Sequence, residues 1–290
     1  MPILIVRLLF LLLAPLAEER VIFLVDTFQD ESGWYAEPIA FIRGEHFVGV
    51  VDPADTSFAP YHTFIAAYFS KGKQYPVYWN DKRLGAMTVV DADTQFACMQ
   101  LTAQVQMKYA GKQKLRIGEP GVALSGVQPS KPLLSVATNA QDSSLAMTLA
   151  RKELTGKKLS KAALKTLQLN RIRAVDLDGS GDAELIATFE TSRTVYSKAL
   201  KMNSMIIYFL SIVIDDGKVV YSYYTSGPEE GDEQGNFASR QDITGISDLD
   251  GNGIAEIVFR NFYYESWDYS IVKRKANRWQ QVWQGGGGGC

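Results

Sequence analysis

Two nine-residue stretches set oxygen-bearing side chains at alternate positions around paired glycines. The first reads Asp176-Leu177-Asp178-Gly179-Ser180-Gly181-Asp182-Ala183-Glu184, and the second Asp248-Leu249-Asp250-Gly251-Asn252-Gly253-Ile254-Ala255-Glu256. Calcium takes six to eight oxygen ligands at about 2.3–2.6 Å, and a short loop supplies them from alternate positions of a tight turn. Asp176, Asp178 and Ser180 occupy positions one, three and five, Gly181 permits the bend at six, the Asp182 carbonyl serves at seven and Glu184 closes at nine. The second stretch offers Asp248, Asp250, Asn252, Gly253, the Ile254 carbonyl and Glu256 in the same order. Asp-Gly and Asn-Gly are also favoured turn pairs, so plain acidic hairpin turns are the alternative. Against it, the first stretch crowds Asp176, Asp178, Asp182 and Glu184 together, and these repel unless a cation or protons compensate.

A helix-flanked calcium hand ends in a bidentate Glu at position twelve. Here that position holds Ala187 or Phe259, and the residues after each loop, Leu185 to Phe189 and Ile257 to Phe259, are short apolar runs of β-formers. The loops are therefore expected to join strands. The pattern resembles the integrin-alpha-type repeats known as FG-GAP or VCBS-like repeats, whose loops read Asp-x-Asp-x-Asp-Gly-x-x-Asp within a propeller blade. The resemblance covers roughly Ile172 to Trp283. It implies side-chain ligation at positions one, three, five and nine and backbone ligation at seven. Ser180 and the Glu at nine depart from the family pattern, and two copies are too few for its seven-bladed ring.

The elements that must position these loops form an internal repeat. After the first loop, a strand-like run from Met205 to Ile214 passes through Asp215-Asp216-Gly217-Lys218 into Val219 to Tyr224. After the second, Tyr269 to Lys273 passes through Ala276-Asn277 into Trp279 to Trp283. Each unit reads strand, acidic loop, strand, strand, turn, strand, a four-stranded meander the size of one propeller blade. Upstream, Val21 to Met107 carries short β-like runs broken by Gly44, Pro53, Pro60, Gly72 and Gly85, with a hairpin from Tyr75 to Val90 turning at Asn80 and Asp81. Lys112 to Gln141 reads as irregular or linker with one strand near Leu133 to Val136. Two short helical patterns follow: Leu145, Met147, Leu149 and Leu154 up to Gly156, then Ala163, Leu164, Leu167 and Leu169 behind the N-cap Ser160.

The expected fold is mainly β with a short helical insert. Residues 1–17 read as a signal peptide, 18–125 as a β-rich N-terminal domain, 126–170 as linker and short helices, 171–284 as two calcium-loop β-repeats, and 285–290 as a mobile glycine tail. The chain has 290 residues, 46% of them hydrophobic, enough for one large or two ordinary cores. With 30 basic and 32 acidic residues it has no global field to attract nucleic acid or anionic lipid. Leu8 to Leu13, after Arg7 and before Ala17, resembles a secretory signal too short to span a bilayer; an N-terminal anchor or a buried segment are the alternatives. Export would permit a disulfide between Cys98 and Cys290, with two free thiols as the alternative.

Other chemistry is thinner. His46 and His62 lack metal-ligand spacing, and no nucleophile elbow, Walker loop, dinucleotide fingerprint or Cys-x-x-Cys occurs in the sequence. A carboxylate pair such as Glu37 with Asp52 could serve a hydrolase. Phe262, Tyr263, Tyr264, Trp267 and Tyr269 suit either strand packing or a recognition surface. Glu229, Glu230, Asp232 and Glu233 read as a solvated loop. The expectation is an exported, non-enzymatic protein binding two structural calcium ions, with a protein or carbohydrate surface ligand; the alternative is an envelope hydrolase.

Overall fold

The computed structural model describes residues 19–27, 33–51, 57–95, 100–116, 118–126, 133–197, 202–228, 238–276 and 278–289. The expectations for the signal segment, for Asp52, for both cysteines and for the acidic run at 229–233 lie outside the described residues. The fold is mainly β.

Val21 to Val25 is a continuous apolar run, the pattern of a strand buried on both faces. It lies in β1 (Arg20–Thr27), which pairs with β2 (Trp34–Arg43) on one side and β7 (Gly121–Leu124) on the other. Between them run β4 (Gln74–Trp79), β5 (Lys82–Ala92) and β6 (Ala103–Tyr109), giving the order β1-β7-β4-β5-β6-β2 and a barrel closed by the β1–β2 pairing. The short β3 (His46–Val48) extends β2 as a hairpin. At Pro38, which has no N–H to give the ladder, the β1–β2 register slips by a bulge.

Alternate residues of β1 face two cores. Val21, Phe23 and Val25 join Phe41, Val77, Met87, Val105 and Ala123 inside the barrel. That interior is plugged by α1 (Ala59–Tyr68), which inserts Tyr61 and Phe64 beside Phe69 and Phe23. The helix corrects the all-β reading of Val21 to Met107: Pro60 starts it, where a missing N–H costs nothing. β7 likewise corrects the reading of Lys112 to Gln141 as irregular apart from one strand near Leu133. The hairpin at Asn80-Asp81 forms as expected, both residues taking positive φ (48° and 55°) in the manner of a type I′ turn.

The C-terminal half holds two antiparallel sheets. The first contains β8 (Ser135–Val136), β9 (Gln168–Val175), β10 (Glu184–Ser197), β11 (Met202–Asp215) and β12 (Lys218–Pro228) in the order β12-β11-β10-β9-β8. The second is the four-stranded meander β13 (Arg240–Ser247), β14 (Glu256–Phe262), β15 (Ser266–Lys275) and β16 (Arg278–Gly289). Helices α2 (Ala140–Gly156) and α3 (Lys161–Lys165) cover the outer face of the first sheet, with a capping box at Asn139 and Asp142 and Ser160 capping α3. The buried positions of α2 are Ala146, Ala150 and Leu154, so Leu145 sits exposed; Leu169 belongs to β9, not to a helix.

Four layers result: helices, five-stranded sheet, four-stranded sheet, barrel. Val175, Leu177, Ile186 and Val213 meet Ile246, Ile257, Phe259 and Val272 between the two sheets. Val258, Tyr269 and Ile271 face the other way, onto Ile22, Leu24, Ile39 and Leu124 of the barrel. The glycine tail corrects another expectation. Gly285 to Gly289 are the end of β16 and pair with β15, with positive φ at Gly285, Gly286 and Gly287. A Cβ on Gly286 would lie 2.8 Å from the Ile39 carbonyl oxygen, so only glycine lets this strand approach the barrel so closely. Among the described residues, no helix is long and apolar enough to cross a membrane.

Candidate metal centre

The two acidic stretches are the β9–β10 and β13–β14 connections. Strand register pins their ends: Val175 opposes Glu184, and Ser247 opposes Glu256. Each loop is anchored by a fully buried leucine at position two, Leu177 or Leu249. Glycines at positions four and six adopt left-handed φ, 72° and 95° in the first loop and 83° and 87° in the second, which folds the intervening backbone N–H groups inward.

The same hydrogen-bond scaffold holds both loops. The position-one carboxylate accepts from the N–H at six, Gly181 to Asp176 and Gly253 to Asp248, each at 3.0 Å. The position-three carboxylate accepts from the N–H at five, at 3.0 Å for Asp178 and 3.2 Å for Asp250. The side-chain oxygens of Ser180 and Asn252 accept from the N–H at seven. Glu184 and Glu256 reach back to accept from the N–H at two, both at 2.8 Å. With one oxygen of each closing Glu held this way, the triads Asp176, Asp178, Glu184 and Asp248, Asp250, Glu256 bring ligand atoms within 4.8 Å of one another. Two oxygens on opposite sides of a calcium ion stand about that far apart, twice the usual bond length. Both triads can hold a metal ion.

No protein-family model, curated protein or solved structure matches this chain.

The donor set asks for positive charge. Asp176 is 8% exposed, and its Oδ1 has no hydrogen-bond partner; Oε1 of the fully buried Glu256 has none either. Burial raises the Glu184 carboxyl, and burial together with the Asp250 charge pushes Glu256 up to about 8. A cation at either triad would relieve that penalty. Asp178 goes the other way: burial alone would raise it, but hydrogen bonds from Ser180 and the Arg274 guanidinium outweigh that and hold it below the usual value.

Of the ten residues expected as ligands, the six triad carboxylates converge. Ser180, Asp182 and Asn252 are exposed, and Ile254 is half-buried. Three further residues were missed. Asp81, at the turn of the barrel hairpin, accepts from the Ser247 hydroxyl and, at 2.9 Å, from the Asp248 N–H. Burial pushes its carboxyl up to about 6, against the bonds from Ser247 and Asp248. Arg274 bonds Asp178, and Lys273 bonds Asp250. A basic pair at the end of an apolar strand was the only local signal for these two, and Asp81 had none beyond its turn.

Of the remaining candidates, Glu37 and most of the aromatic cluster are engaged by neighbours, whereas His46 and His62 are exposed. Glu37 accepts from Trp267 Nε1 at 2.7 Å and from the Tyr269 hydroxyl at 2.8 Å, tying β2 to β15. Asp268 accepts from Asn261, Tyr263 and Gln284. Phe262 lies under the guanidinium groups of Arg240 and Arg260, whereas Tyr264 is exposed.

Proposed function

We propose that this is an exported calcium-binding protein whose two loops hold structural ions, similar in loop chemistry to the FG-GAP or VCBS-like repeats, and that it acts as a binding or structural module and not as an enzyme. The observation that carries the reading is the duplicated scaffold itself. Loop N–H groups orient the carboxylates of each triad toward a shared point, and a buried oxygen of Asp176 is left without a partner. Such hard oxygen donors suit calcium, with its irregular geometry, better than magnesium, which demands tighter octahedral geometry and keeps its waters. Export is supported by the apolar N-terminal run of the sequence, and the affinity expected of an extracellular calcium module is about 10⁻⁴ to 10⁻³ M. The hydrolase alternative gains nothing from Glu37, because both its oxygens are already taken by donors of β15.

Calorimetric titration of chelated protein tests this, run beside the Asp176→Ala, Asp248→Ala double variant. Wild type should release or absorb heat with calcium and melt higher in its presence. At tenfold excess over Kd each ion adds about 1.4 kcal/mol. The same heat and the same melting temperature for wild type and double variant would remove the calcium assignment.

A further inference from the structure

We infer that Lys273 is the resident cation of the second loop, so that the first loop binds calcium readily and the second only by displacing this lysine. The inference rests on the calcium reading above and separates two loops which that reading treats alike. Successive residues of a strand point to opposite faces. Near the end of β15 that alternation sends the Lys273 ammonium to Asp250 of the second loop and the Arg274 guanidinium to Asp178 of the first.

The two basic groups do different things. Arg274 and Asp178 meet at a partly exposed position, and Arg274 forms no ion pair with Asp176 or Glu184. Asp176 Oδ1 stays buried without a partner, and among the described residues the ion pair at the first triad is Arg274 with Asp178, which leaves that oxygen unmet. Lys273 is 4% exposed, bonds Asp250 Oδ2 and stands 3.8 Å from Glu256 Oε1, the oxygen with no hydrogen-bond partner of its own. Asp248 is satisfied from the loop backbone, by the N–H groups of Gly251 at 2.9 Å and Gly253 at 3.0 Å. One ammonium thus serves two of the three carboxylates in the second triad. An incoming ion must expel it or share the site with it, and a buried like charge at such range weakens binding strongly. Asp81, held against the Asp248 N–H, adds negative charge at this loop but contributes no atom to the triad.

Protein stripped of metal is titrated with calcium by calorimetry, as wild type and as Lys273→Met, Asp176→Asn and Asp248→Asn. Wild type should take up one ion per chain in a first step, with any second step about tenfold weaker or more. Lys273→Met should strengthen the second step by a similar factor, Asp176→Asn should abolish the first, and Asp248→Asn should leave the first intact. Two equal steps in wild type that Lys273→Met does not alter would overturn the inference and leave the calcium reading standing. No binding by either protein would remove the calcium reading itself. If Lys273→Met does not fold, the two asparagine variants decide: an equal loss of the tight step from both overturns the inference.

Discussion

Glu37 shows how a single buried carboxylate holds two parts of this molecule together. It is 1% exposed, accepts from Trp267 and Tyr269, and stands 3.8 Å from Arg260. Glu37→Ala would strand two donors and a guanidinium in the interior, and it should lower stability by about 3 kcal/mol, measured by urea unfolding. Burial raises the Glu37 carboxyl above its ordinary value of 4.5, and Arg260 with the two donors offsets this only in part. The folded chain therefore takes up this proton at higher pH than the unfolded chain does. The group's contribution to stability is full below pH 4.5 and is lost as pH rises through the raised value. Between pH 4.5 and neutrality, wild type should lose more stability than Glu37→Gln, which has no such proton to lose. Parallel pH profiles for the two proteins would show that Glu37 titrates alike in both states.

At the scale of elements, what could be read from the residues was what they encode locally. The Asn80-Asp81 turn, the two glycine-bent loops and the cap at Ser160 each depend on neighbours a few positions away, and each lies where the local pattern puts it. Helix α1 was hidden because its aromatic residues, Tyr61, Phe64 and Tyr68, also favour strands; the barrel interior decides between the two. The last strand was hidden for a different reason: glycine has no side chain with which to announce burial. Its partners, and those of Asp81 and Lys273, lie across the fold, where spacing in the sequence says nothing. The glycine strand makes a sharp prediction. Gly217, in the β11–β12 turn, has φ of 68°, and a Cβ there would meet nothing within 4 Å, so Gly217→Ala bears only the conformational strain, about 1 kcal/mol. At Gly287, φ is 82° and a Cβ would fall 2.0 Å from the Trp267 carbonyl oxygen. Gly287→Ala should therefore cost at least about twice as much by urea unfolding, because backbone must move. Equal effects of the two substitutions would mean that β16 does not pack against β15 as described.

At the scale of the whole molecule, the barrel and the second sheet share a core, so neither buries its apolar face without the other. Leu24 and Leu124 of the barrel pack with Val258 and Ile271 of the sheet, and the Asp81 turn grips the second loop beside them. Arg20 of β1 adds a bond across the same seam, to the Asp250 carbonyl oxygen, and Arg171 of β9 ties the first sheet to the barrel side through the Gly118 carbonyl oxygen. The layers also meet tightly at Gly245 of β13, where a Cβ would lie 2.3 Å from Cγ2 of Val122 in β7. Gly245→Ala should push the layers apart and cost about 1–3 kcal/mol, as overpacking of a well-filled core does. Val122→Ala alone should also destabilise, by opening a cavity where the methyl groups were. Combined, the new methyl at 245 occupies part of the space vacated at 122, so the double variant should be more stable than the sum of the two losses predicts, by about 1 kcal/mol. Urea unfolding followed by tryptophan fluorescence and by far-ultraviolet circular dichroism measures the cycle. Because the seam is common property, both probes should move together in all three variants. Additive losses would show that residues 122 and 245 do not touch in solution, and separate transitions for the two probes would show that barrel and sheets unfold independently.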